Sequence, residues 1–162
     1  GPRARDGAVV PNFVSCALTG EPLTLAGDGL QYRKFVYVED LAEGNVLALN
    51  PIAVNKIYNL DGHERVTIKQ IVEMIRAVIG NVTVEHLPAR PGDFSGKEVS
   101  SQRAKEELGW EPSVRFEEGL RRYIAWFKEQ LAASEASQAL VTAALALKPS
   151  ARLESCAGVD GA

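Results

Sequence analysis

The chain has 162 residues, 46% of them hydrophobic and 24% charged, which is the balance of a soluble globular domain with one real core and no room for two full ones. A formal net charge of −3 excludes a general pull toward nucleic acid or an anionic membrane, so any anion site is local. Cys16 and Cys156 lie far apart and form no CxxC pair, which excludes a disulfide framework or a cysteine metal site and fits a reducing cytoplasm. The longest apolar run, Ala139 to Leu147 broken by Thr142, is far below the roughly 20 residues a membrane span needs, and no signal-like segment opens the chain.

In chain order, the pattern alternates between helix-like and strand-like segments and predicts a mixed α/β domain. Pro11 to Leu18 reads as a helix with Phe13, Val14, Ala17 and Leu18 on one face and Gly20 ending it. Pro22 to Ala26 reads as a strand, Gly27-Asp28-Gly29 as a tight turn, and Tyr32 to Val38 as a second strand. Glu39 or Asp40 opens a helix carrying Leu41, Val46, Leu47 and Leu49 and stopped by Asn50-Pro51. Ile57 to Leu60 is expected to be a short strand. Ile68 to Ile79 is the clearest helix: Thr67 and Gln70 have capping-box spacing, and Ile68, Ile71, Val72, Ile75, Val78 and Ile79 form one apolar stripe. Val82 to Leu87 is a further strand, and Ser101 to Leu108 and Glu117 to Leu131 are helices, the last burying Leu120, Tyr123, Ile124, Phe127 and Leu131. Residues 1–131 form the folded portion. Residues 132–162 are an alanine- and serine-rich tail, weakly helical or disordered.

Five stretches, in order, carry a resemblance. They are Gly1-Pro2-Arg3; Gly20-Glu21-Pro22-Leu23-Thr24-Leu25 through Gly27-Asp28-Gly29; Arg33-Lys34-Phe35-Val36-Tyr37-Val38-Glu39-Asp40; Arg90-Pro91-Gly92-Asp93; and Leu108-Gly109-Trp110-Glu111-Pro112 with Phe116-Glu117-Glu118-Gly119-Leu120. Together they resemble the extended short-chain dehydrogenase/reductase family, and UDP-glucose 4-epimerase-like members in particular. The resemblance implies the carboxy-terminal, substrate-binding part of an extended Rossmann-type enzyme. Such an enzyme is NAD-dependent, acts on a nucleotide sugar through a 4-keto-sugar intermediate, works in the cytoplasm and forms a homodimer. Arg-Pro-Gly-Asp favours an epimerase over a 4,6-dehydratase.

Two family elements do not occur in this sequence. No glycine-rich strand-to-helix turn is present to seat the NAD pyrophosphate, since Gly27 and Gly29 join two predicted strands. None of Tyr32, Tyr37, Tyr58 and Tyr123 has a lysine four residues later, so the tyrosine-x-x-x-lysine pair is absent. The only methionine is Met74; removal of an initiator, a protease scar and origin in a longer protein each account for Gly1, and the motifs favour the last. The chain is therefore expected to bind nucleotide sugar, to hold no NAD or metal and no catalytic residue, and to be inactive alone. Its partner is then the NAD-binding half. Without that half, apolar surface beyond the few hundred Å² normal for a monomer is expected to be exposed.

Arg90 and Asp93 are the leading site candidates: a guanidinium fork matches a diphosphate, and a carboxylate accepts from ribose hydroxyls. A salt bridge within a loop stiffened by Pro91 and Gly92 is the plainer alternative. Arg33 is the second phosphate candidate by its place in the family block, where Lys34 replaces the usual aspartate and is expected to face solvent. Thr24 and Leu25 offer backbone groups and an apolar surface to the base, and Val9 lines the same pocket; Phe13 is rather a core residue. Arg3 and Arg5 read as a solvated terminus, and His63 and His86 lack metal-ligand spacing. A module that binds a nucleotide or a partner without catalysis is the rival reading, and a purely structural interaction domain rests only on the tail.

Overall fold

The structure, a computed structural model, describes residues 8–89, 92, 95–96 and 98–146. Its elements run α1 (Val9–Thr19), β1 (Leu23–Ala26), β2 (Tyr32–Lys34), α2 (Val38–Leu47), a 3-10 turn (Pro51–Ala53), β3 (Arg65–Thr67), α3 (Ile68–Ile79), β4 (Val84–Leu87), α4 (Gln102–Leu108) and α5 (Phe116–Ala146). Two compact units divide the chain, Gly1–Lys128 and Glu129–Ala162, and α5 runs from the first into the second. No described helix is long and apolar enough to cross a membrane.

The first unit holds two small sheets. β1 pairs with β4 in parallel, Leu23 opposite Val84 and Ala26 opposite Leu87, while β2 pairs with β3 antiparallel, Lys34 opposite Arg65. Helix α3 forms where the sequence predicts it. The Thr67 hydroxyl accepts from the Gln70 amide and the Gln70 side chain accepts from the Thr67 amide, so two orphan donors at the helix start are satisfied. Its stripe buries Ile71, Val72 and Ile75 against Phe13 and Val14 of α1, Leu23 and Leu25 of β1, Val66 of β3, and Leu120 and Ile124 of α5. Each large side chain taken out of water here contributes about 1.5–3 kcal/mol.

Three elements differ from the sequence-based expectation. The second strand ends at Lys34; Val38 already opens α2, and Phe35 to Tyr37 lie between the two. Ile57 to Leu60 is not a strand, because no described segment pairs with it. Arg65–Thr67 is a strand that three residues without apolar alternation did not reveal.

A second packing centre joins α2 to α4. Trp110 is 1% exposed, and its indole N–H donates to the Asp40 carbonyl at 2.8 Å. A Cβ on Gly44 would lie 2.5 Å from Leu60 and 3.0 Å from the Trp110 indole nitrogen, so the glycine is what admits α2 to this contact. The Asp40 carboxylate, 3% exposed, accepts from the Ser113 hydroxyl and from the Val114 amide at 3.0 Å. Burial alone would raise its pKa. The Ser113 hydroxyl, the Val114 and Ser113 amides and nearby His63 outweigh that and hold it below the ordinary value.

A carboxyl with a depressed folded pKa stabilises above its unfolded value and loses that contribution as pH falls through the folded one. Asp40→Asn is therefore expected to destabilise by about 1.5–3 kcal/mol at neutral pH. In chemical denaturation at stepped pH, the gap to wild type should close below the unfolded value of 3.8. A gap independent of pH would remove the charge from this account.

On α2 and in the segment after it, Leu41, Val46, Leu49, Ile52, Val54 and Ile57 are all exposed, Leu49 and Ile57 at 83%.

Candidate functional site

Parallel pairing decides what β1 can offer a ligand. The amides of Leu23 and Gly27 donate to the carbonyls of Thr83, just before β4, and of Leu87 at its end. By the alternation of a strand, the backbone of Leu25 also faces β4, whereas the backbone groups of Thr24 and Ala26 face the opposite edge. No described strand pairs with that edge, and the Ala26 carbonyl there accepts from the Gln31 side chain at 3.3 Å. Thr24 thus presents an N–H and a C=O side by side. Leu25 presents neither: its side chain is 4% exposed in the core and its backbone is turned to β4, which corrects its reading as a base contact.

Where β1 and β4 end together, Gly27 has φ +64°, and a Cβ there would come within 3.3 Å of the Ala89 methyl. The chain leaving β4 toward Arg90 therefore runs against the turn that closes β1. Carboxyl ends of parallel strands are where open α/β sheets bind ligands. Arg90 and Asp93 themselves lie outside the described residues, as do Arg3 and Arg5.

Arg33 stands on β2 opposite Val66, exposed, and its guanidinium donates to the Tyr32 carbonyl at 2.7 Å. Lys34, one residue on, points the other way. Its ammonium is 3.7 Å from Asp61 and 3.8 Å from Glu98, with the side chain 21% exposed, which corrects its assignment to solvent. Asp61 Oδ2 is buried and accepts no hydrogen bond, so the ion pair with Lys34 is what compensates it.

Val9 belongs to a different place. It opens α1 and lines a cavity of about 430 Å³ together with Phe35, Tyr37, Phe116, Tyr123 and Trp126. The Phe35 and Phe116 rings lie 4.7 Å apart, and the Arg122 guanidinium sits 5.4 Å from the Tyr37 ring centre. Neither Thr24 nor Arg33 lines this cavity, so the candidates fall into two groups. The aromatic wall was not singled out from the sequence, although the Phe35-Val36-Tyr37 triplet and the Tyr123, Trp126, Phe127 spacing on α5 carry it.

The matching family model, NAD dependent epimerase/dehydratase family, covers residues 1–61. UDP-glucuronate 4-epimerase of Thermodesulfobacterium geofontis (strain OPF15) is 33% identical over 133 residues, 81% of this chain and 41% of that protein. UDP-glucuronic acid decarboxylase 1 of Danio rerio is 38% identical over 127 residues, 78% of this chain and 30% of that protein. The crystal structure of UDP-glucuronic acid 4-epimerase from Bacillus cereus, in complex with UDP-glucuronic acid and NAD, superposes with a TM-score of 0.74 at 28% identity, over 80% of this chain and 42% of that one. This chain belongs to the NAD-dependent epimerase/dehydratase family. It spans less than half the length of these relatives.

The described residues of this family member do not fit a dinucleotide. The one strand that runs straight into a helix, β3 into α3, has no glycine at the junction, and its helix-opening donors are already taken by Thr67 and Gln70. The positive-φ glycines Gly27 and Gly29 sit between two strands, and the α3 N-terminus beside them is already occupied, its Ile68 and Lys69 amides donating to the Gln31 and Gly29 carbonyls. Among the described residues no cluster of His, Cys, Asp or Glu could hold a metal ion.

Proposed function

We propose that this chain is the nucleotide-sugar-binding portion of an NAD-dependent nucleotide-sugar epimerase of the UDP-glucose 4-epimerase type. The observation that carries it is the parallel β1–β4 pair: it leaves the outer edge of β1 open at Thr24, while β4 on the inner edge leads into Arg90-Pro91-Gly92-Asp93 in the sequence. An adjacent backbone N–H and C=O complement the imide edge of a pyrimidine, and Arg90 supplies the fork for the diphosphate, with Asp93 at the ribose and Arg33 as a second cation.

In the whole enzyme, the exposed apolar side chains between Leu41 and Ile57 pack on the NAD-binding half, and the protein is a cytoplasmic homodimer. NAD, held there, supplies the hydride acceptor. This chain anchors the non-reacting nucleotide, so that binding energy far from the sugar holds the sugar in place. By itself it turns over no substrate. Relatives named as a 4-epimerase and as a decarboxylase both match this region, which fits a part that binds what differing sugar chemistries have in common.

Thermal melting with UDP-glucose in excess tests the reading. Occupancy at 100 times Kd stabilises by about 2.7 kcal/mol, and a site specific for pyrimidine diphosphates should give that upward shift with UDP and not with ADP. A melt that ignores UDP, or that ADP shifts equally, would sink it.

A further inference from the structure

On the outer edge of β1 two residues present backbone groups, Thr24 and Ala26, each with an N–H and a C=O. In chain order that edge reads donor, acceptor, donor, acceptor. Left bare, it would offer one donor–acceptor pair at Thr24 and a second at Ala26, roughly 7 Å along the strand. The fourth group is taken: the Gln31 side-chain amide donates to the Ala26 carbonyl at 3.3 Å, in a half-buried position. No hydrogen bond from a described residue occupies the other three.

The backbone that carries Gln31 is fixed in place. Its carbonyl accepts from the Ile68 amide at 3.1 Å, and the Gly29 carbonyl accepts from the Lys69 amide at 3.0 Å, so the turn is tied to the start of α3. Within the turn, the Leu30 amide donates to the Asp28 carboxylate at 2.9 Å. Gly29 lies against the buried Leu25: a Cβ there would fall 2.8 Å from that side chain. The Gln31 side chain therefore starts from a backbone anchored both to α3 and to a core residue of β1 itself.

We propose that Gln31 is a specificity-determining residue for the nucleotide base. By capping the Ala26 carbonyl it trims the open edge to donor, acceptor, donor, which selects the imide of uracil or thymine against the amidine edge of adenine. This rests on the reading of the Thr24 edge as the base site, and it involves no phosphate contact. An imide presents acceptor, donor, acceptor, and meets the Thr24 N–H, the Thr24 C=O and the Ala26 N–H in order. Adenine presents an amine donor beside a ring-nitrogen acceptor, and so needs one N–H and one C=O side by side. At Thr24 that match turns its amine toward the Ala26 N–H, donor facing donor. At Ala26 the match is free of such a conflict, and that is the register Gln31 closes. A site whose polar groups fit one base rejects another by leaving those groups unpaired.

The test is calorimetric titration of the full chain with UDP and with ADP, for wild type, Gln31→Ala and Gln31→Ser, with melting temperature recorded alongside. The two ligands share their ribose and diphosphate, so the ratio of their affinities reads the base alone. Wild type is expected to favour UDP by about tenfold or more. In both variants ADP affinity should rise about tenfold, the scale of one hydrogen bond regained, while UDP affinity stays within about twofold of wild type. Melting temperature should stay near wild type. A gain for one ligand is a change that a purely structural role for Gln31 does not produce. A wild type that favours UDP, with variants that keep its ratio, overturns this inference alone. Equal losses for UDP and ADP overturn it too, since Gln31 then only shapes the fold. A wild-type chain that binds neither nucleotide, or both alike, overturns both this inference and the reading beneath it.

Discussion

Trp110→Ala is expected to destabilise the chain by about 3–5 kcal/mol, the range for deleting a buried aromatic from a packed site. Trp110 is 1% exposed and stands where α2, α4 and the segment ending at Leu60 converge. Its removal does more than leave a cavity. The Asp40 carbonyl loses the indole N–H at 2.8 Å, and the Gly44 face of α2 loses the ring it was shaped to approach. A whole-domain stability of the order of 5–15 kcal/mol leaves little after such a loss. Urea denaturation followed by circular dichroism gives the number. A loss under about 1 kcal/mol would mean that the α2–α4 junction is not part of the cooperative core. Trp110→Phe, which keeps a ring but removes the donor, separates the two contributions.

The second large effect concerns binding. Arg90→Ala is expected to abolish the melting shift that UDP-glucose gives the wild-type chain while leaving the unliganded melting temperature within a degree or two. A bidentate guanidinium–diphosphate contact is worth roughly 1.5–3 kcal/mol, which is most of the ~2.7 kcal/mol of stabilisation at 100 times Kd. Arg90→Lys is the informative companion, because a point charge keeps the attraction and loses the fork. It should retain a small part of the shift. A full shift in Arg90→Ala would assign the phosphates to other cations, with Arg33 the first to exchange. A lower unliganded melting temperature without any change in the ligand shift would mark Arg90 as a loop salt bridge, the plainer alternative its sequence context allows.

Much of this chain was legible one element at a time. Helix α3 came out with its true bounds because its cap, its stripe and its Gly80 stop all lie within fourteen residues and need no partner to be read. Helix α1, the Gly27-Asp28-Gly29 turn and β4 followed the same local logic, and the family resemblance rested on motifs whose order survives in one dimension. Helix α5 runs on past Leu131 to Ala146, through alanine-rich residues that the sequence left as weakly helical or disordered.

What the sequence could not order were the contacts between distant segments. A strand exists only if something pairs with it, so Ile57 to Leu60, β-branched and aromatic in part, was expected as a strand that the fold does not make, whereas Arg65 to Thr67 becomes one through Tyr32 to Lys34. Alternation along β1 gave two faces but not which edge β4 would take, and that choice alone turns the Leu25 backbone inward and leaves Thr24 outward. The charge of Lys34 was visible, but its partners Asp61 and Glu98 lie 27 and 64 residues away, and only the closed chain sets them within 4 Å. By itself the sequence determined the family and most of the helices, because propensity, capping and motif order are short-range. The tertiary structure decided which segments share a surface, because pairing register and charge neutralisation depend on segments that meet only when the chain closes.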